Sequence, residues 1–113
     1  MIRTNRPVRL LEWGEGTNTL NQVWTVIGEG TIRQTRQRDG LTQLVVDMGK
    51  GFEKKNSKDD SIKIAQKGEG MAARSEHWGE VAIGKLRSVD SASGTAVVTI
   101  EIGTAAKLGK AYD

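Results

Sequence analysis

Cysteine is absent from the chain, which excludes disulfides, thiolate metal sites and a cysteine nucleophile. Proline occurs once, at Pro7, and histidine once, at His77. Aromatics are scarce: Trp13, Trp24, Trp78, Phe52 and Tyr112. No apolar run approaches the length needed to span a bilayer. The opening residues Met1 to Pro7 carry charge but lack the apolar run of a signal peptide, so no secretion by that route and no membrane partner is expected.

What the chain does have is glycine. Fourteen glycines beside one proline point to many turns between short strands rather than to a disordered tail. A chain of 113 residues fits one domain, 1–113. At this size folding buries only about two-thirds of the unfolded surface. With hydrophobics at 36 %, the core is small, and assembly with further copies is one way to bury more area.

Patterning predicts an all-β sandwich or barrel of roughly six to eight short antiparallel strands. A basic N-terminal arm, residues 1–9, leads into a strand near Val8 to Trp13. Residues 22–28 are β-branched and aromatic, which predicts a buried strand with Trp24 in the core. Residues 31–47 predict a hairpin turning at Asp39-Gly40, because Asp-Gly accepts positive φ at both turn positions. Gln34 to Arg38 are polar on both strand faces, so the tip is expected to project from the core. Residues 49–79 read as a long charged and Gly-rich loop region, interrupted by a brief strand at 62–66. Residues 80–89 and 95–102 form a second hairpin about a turn at 90–94. The tail 103–113 is expected to hold one helical turn near Ala105 to Leu108. The predicted core is Val23, Val26, Ile27, Leu44, Val46, Val81, Ile83, Leu86, Val98, Ile100 and Ile102.

Catalytic constellations are wanting. His77 stands beside Glu76, and neighbours on a strand face opposite ways, so they cannot act as a simple acid–base pair. Asp59-Asp60 lacks spaced partner carboxylates for a cation and reads as a solvated charge cluster. The sequence Gly-Glu-Gly recurs at 14–16, 28–30 and 68–70. Its central glutamate would repel phosphate, so it reads as three turns of shared composition rather than as a phosphate loop or a true repeat. No enzyme, cofactor or metal is expected.

The formal charge of +3 is mild, so the placement of arginine matters more than its total. Arg3, Arg6 and Arg9 recur along the arm, and Arg33, Arg36 and Arg38 crowd the first hairpin. Two readings compete. Arms and projecting ribbons join subunits in homo-oligomers, with arginines pairing to carboxylates or carbonyls of a protein partner. The alternative is a small nucleic-acid-binding β-barrel whose arginines track phosphates. Trp24, set among aliphatics, offers little as a base-stacking platform.

The segment from Gly79 to Ile100 resembles the C-terminal hairpin of small tailed-phage capsid decoration, or cement, proteins. It has a Val-Ala-Ile-Gly strand, an Ala/Ser/Gly-rich turn and a Val-rich return strand. The resemblance implies a structural virion protein that binds a capsid-like lattice as an oligomer, located in the virion or in host cytoplasm during assembly. The Arg-rich ribbon and the Lys-rich loop depart from that pattern.

Overall fold

A computed structural model describes residues 2–15, 22–50, 52, 54, 59–67, 77–92, 94–103 and 108–109. The described chain is all-β, as the patterning predicts. In order, the strands are β1 (Ile2–Arg3), β2 (Pro7–Glu15), β3 (Gln22–Arg38), β4 (Leu41–Gly49), β5 (Ser61–Lys67), β6 (Trp78–Ala92), β7 (Thr95–Ile102) and β8 (Leu108–Gly109). Six of them close an antiparallel barrel in the order β2-β3-β4-β7-β6-β5, with β5 returning to β2. β1 and β8 form a separate parallel pair.

The barrel is built from two copies of one meander. Strands β2-β3-β4 and β5-β6-β7 have the same connectivity, and their residues match without a gap at an offset of 54: Trp24 with Trp78, Gly30 with Gly84, Arg33 with Arg87, Gly40 with Gly94, Gly49 with Gly103. Register follows the same offset. Leu10 pairs Gly28 as Ile64 pairs Ala82; Ile32 pairs Val46 as Leu86 pairs Ile100; Arg38 pairs Leu41 as Ala92 pairs Thr95. The two strand pairs joining the meanders map onto themselves: Leu11 faces Lys63 and Arg9 faces Ala65, while Leu44 faces Ile100 and Val46 faces Val98. The chain is therefore a tandem duplication arranged about a pseudo-two-fold axis. This corrects the reading of Gly-Glu-Gly as three turns: the copies at 14–16 and 68–70 fall on the same offset, and the copy at 28–30, whose equivalent is Ala82-Ile83-Gly84, lies within β3. The signal is easily missed because core positions are exchanged among aliphatics, as at Val8/Ile62 and Leu10/Ile64.

The interior is aliphatic: Val8, Leu10, Leu44, Val46, Ile62, Ile64, Val98 and Ile100 are fully buried. Of the predicted core, Leu44, Val46, Val98, Ile100 and Ile102 are buried, and Ile27, Val81 and Leu86 pack against it. Val26 and Ile83 are not core residues; they face out, 49 % and 51 % exposed. Their reassignment comes from β-bulges. Pairing skips Ile27 between Leu10 and Leu11, and Val81 between Ile64 and Ala65. Each bulge changes the phase of alternation, so strict period two fails across it. Val23 lies where no burial is described.

Glycine shapes the curve. A Cβ at Gly30 would lie 2.4 Å from the Asp47 carbonyl oxygen, and one at Gly84 would lie 2.5 Å from that of Glu101. These equivalent sites let β3 press on β4 and β6 on β7.

The first hairpin turns at Asp39-Gly40, with φ of 52° and 74°. Its β4 limb belongs to the barrel wall from Thr42 onward, where it pairs β7. Only the tip and the β3 limb beyond Thr31 stand clear, because the ladder with β2 ends at Pro7–Thr31. The second turn is tighter than predicted, since β6 runs to Ala92. The presumed loop region 49–79 contains β5, which closes the barrel. The expected N-terminal arm is no free arm: Ile2 is buried, β1 pairs β8, and Arg9 lies within β2. Residues 104–107, most of the expected helical turn, lie outside the described residues, and Leu108 is in a strand.

Equivalent polar side chains secure the two ends. Gln66 is fully buried. Its Oε1 accepts from the Arg3 backbone N–H at 2.7 Å, and its Nε2 donates to the carbonyls of Arg3 at 2.7 Å and Arg6 at 3.3 Å. The equivalent Glu12 is also buried and meets Lys54 Nζ at 3.6 Å. Lys54 in turn donates to the Asp59 carbonyl. One side chain thus pins the N-terminal segment and the other pins the link between the halves.

Two expectations follow. Gly30→Ala and Gly84→Ala should each cost about 1–3 kcal/mol by overpacking, whereas Gly103→Ala, with nothing within 4 Å, should stay within about 0.5 kcal/mol; denaturant unfolding checks all three. Gln66→Leu should cost about 1–3 kcal/mol by leaving buried backbone groups unpaired, and hydrogen exchange at the Arg3 amide should speed up in that variant.

Candidate interaction surface

The six arginines singled out from sequence do not form one site. Arg3 and Arg6 lie at the closed end, where the backbone is held by Gln66 and Arg6 donates to the Lys67 carbonyl at 3.4 Å. Arg9 lies on the outer face of β2. Its Nε donates to Glu29 at 3.1 Å, and its guanidinium sits 4.2 Å from the Trp78 ring centroid. Arg33, Arg36 and Arg38 are exposed along the free limb of β3.

Trp24 departs from its expected place. Trp24 is not in the core. It lies opposite Trp13 on the outer face, ring centroids 5.1 Å apart, and Lys63 Nζ stands 4.7 Å over its ring. The offset of 54 relates the pair Lys63–Trp24 to the pair Arg9–Trp78. Each cation reaches from one meander to the indole of the other, so the two contacts clasp the halves reciprocally. A cation over an indole at a partly exposed site contributes about 0.5–1 kcal/mol. Because cations already cover these rings, they are better suited to holding the barrel together than to stacking on bases. The duplication is the signal that would have revealed this pairing from sequence.

Charge neutralisation divides the remaining cations. Arg9 pairs with Glu29, Lys63 with Glu80 at 3.3 Å, and Arg87 with Glu101 at 2.8 Å. The Glu101 hydrogen bond raises the Arg87 guanidinium pKa above its ordinary value. Among the described residues no carboxylate pairs with Arg33, Arg36 or Arg38. Their alignment on the ribbon follows from a bulge: pairing skips Arg33, after which Gln34, Arg36 and Arg38 share one face and Thr35 and Gln37 the other. The matched bulge in β6 falls on Arg87. Beyond it, Arg36 and Arg38 are replaced by Asp90 and Ala92. The basic ribbon is thus a property of one meander only.

An open groove of about 370 Å³ adjoins the hairpin tip. Leu41, Ile83 and Ile102 supply its apolar lining, and Lys85, Arg87 and Glu101 its charged lining. Leu41 is paired with Arg38 across the turn, which joins groove to ribbon. In the other meander the positions of Leu41 and Ile83 are held by Thr95 and Glu29, so the apolar character is also one-sided.

Of the other candidate groups, Asp59 has a structural role. Asp59 accepts from the Ser61 backbone N–H at 2.8 Å. That bond, with one from the Ser61 side chain, holds its carboxyl below the usual range and fixes the entry to β5. No cluster of three metal-ligating side chains occurs among the described residues. His77 is exposed just before β6. Comparison with known proteins gives no match: no family model, no curated protein and no solved structure is similar to this chain at a significant level.

Replacing Arg33, Arg36 and Arg38 together by alanine should change unfolding stability by no more than about 0.5 kcal/mol per site. Arg9→Ala loses both an ion pair and an indole contact, and should cost about 1–2 kcal/mol. Paired denaturant titrations distinguish the two sets.

Proposed function

We propose that the protein is a non-enzymatic assembly protein that joins a protein lattice as an oligomer, through the ribbon and groove of its first hairpin. One observation carries this reading: exposed aliphatic side chains, Leu41 and Ile83, line a groove continuous with unneutralised arginines. An apolar centre within a charged rim is the anatomy of protein–protein interfaces, where arginine is enriched. Phosphate recognition has no use for the aliphatic part. The resemblance of Gly79 to Ile100 to capsid decoration proteins suggests the setting, a virion or the host cytoplasm during assembly.

Nucleic acid is the second reading, and the unpaired charge on Arg33, Arg36 and Arg38 is what favours it. Salt separates the two, because binding through several phosphate contacts falls log-linearly with salt by counterion release. Light scattering across protein concentration, at low and physiological salt, should show association that is weakened by Leu41→Asp or Ile83→Asp. A labelled single-stranded oligonucleotide titrated in parallel should bind weakly. A monomer at every concentration, with tight oligonucleotide binding lost in Arg33→Ala/Arg36→Ala/Arg38→Ala, would overturn the assembly reading.

A further inference from the structure

Among the described residues the closed barrel leaves two strand edges open. β3 loses its partner on one side after Thr31, and β6 loses its own after Leu86, whose N–H donates to the Asp60 carbonyl at 2.8 Å just past the end of the β5 ladder at Ser61–Lys85. Beyond those points, among the described residues, 33–38 pair with β4 alone and 87–92 with β7 alone. These are equivalent segments of the two meanders. A free edge is a row of backbone donors and acceptors that another strand can extend.

The two edges differ in charge. One carries Arg33, Arg36 and Arg38. The other carries Asp90 and the exposed Val89, and its Arg87 is occupied by Glu101. Pairing either edge with its like in a second copy sets like charges together: arginines across from arginines, or Asp90 beside Asp90. Pairing one with the other does the reverse. In an antiparallel register that places Arg36 opposite Asp90, Gln34 meets Ala92 and Arg38 meets Ser88. Outward faces then coincide, because Arg36 and Asp90 hold equivalent positions.

We propose that residues 33–38 of one copy pair antiparallel with residues 87–92 of the next, so that this chain assembles head to tail by strand addition. The inference rests on the assembly reading above and names the partner as a second copy of the chain. Such a heterologous contact leaves a free edge of each kind at the two ends. It closes into a ring or continues as a filament, according to the rotation per step. Charged residues and bulges at an edge block indiscriminate pairing. Here their unequal distribution leaves one combination favourable.

Charge exchange tests this on the full chain. One variant carries Arg36→Asp and Arg38→Asp; the other carries Asp90→Arg. Each alone puts like charges across the contact and should weaken association about tenfold or more. Mixing the two variants, or combining all three substitutions in one chain, should restore it. Arg36→Gln and Asp90→Asn give the same direction more gently, and thermal unfolding checks that every variant keeps the wild-type fold. If the wild type associates and the reversed variants associate equally well, edge pairing is wrong while assembly stands. If the wild type is monomeric at every concentration, both fail. Association unchanged by Arg36→Asp/Arg38→Asp, with oligonucleotide binding lost, would assign the ribbon to phosphate instead.

Discussion

Closure of the barrel depends on two strand pairings, β2 with β5 and β4 with β7. A three-stranded meander has one apolar face and cannot cover it alone. Here each meander's face is covered by the other, and the pairings that bring them together run through the pseudo-two-fold axis, at Leu10–Ile64 and at Val45–Thr99. Arrangements on either side of the axis then come in twos. The bulges at Ile27 and Val81, the glycines at 30 and 84, and the cations over Trp24 and Trp78 are each one solution used twice.

Joining two meanders still leaves barrel ends, where backbone groups would be buried without partners. Gln66 answers this at one end with an amide that both donates and accepts, matching the N–H and carbonyls of residues 3–6. At the other end the equivalent Glu12 only accepts, and the group it meets is the cation of Lys54. The chemical difference between amide and carboxylate at one repeated position follows from what each end must hold: backbone in one case, an ammonium in the other.

Much of the architecture was legible in sequence. Asp39-Gly40 marks the first turn, and the alternation of Val98, Ile100 and Ile102 marks a strand with one buried face. What escaped had a common cause. The expected core takes Val26 together with Ile27, and Ile83 together with Val81, with Trp24 among them; bulges at Ile27 and Val81 change the phase of alternation and leave Val26, Ile83 and Trp24 on the outer face. β5 looks like a brief interruption of a loop because Lys63, Gln66 and Lys67 dilute its apolar pattern, yet its position opposite β2 makes it the closing strand. The six arginines were equal in sequence and unequal in space, since only a fold reveals which cations already have carboxylates.

A duplicated chain supplies its own comparison. Positions kept in both halves answer to geometry common to both: Gly30 and Gly84 to close strand approach, Gly40 and Gly94 to positive φ, Trp24 and Trp78 to the inter-half clasp. Arg33 and Arg87 both sit at bulges. Positions that differ are free of those demands. Arg36 against Asp90, Leu41 against Thr95 and Ile83 against Glu29 all lie on exposed or groove-lining surface, and none of these residues belongs to the buried core. A symmetric barrel would present the same surface twice and could favour only like-with-like contacts. Breaking the symmetry at the hairpins, while keeping it in the core, gives the two equivalent edges unlike charge, the difference on which the proposed head-to-tail pairing rests, without disturbing the packing that holds both.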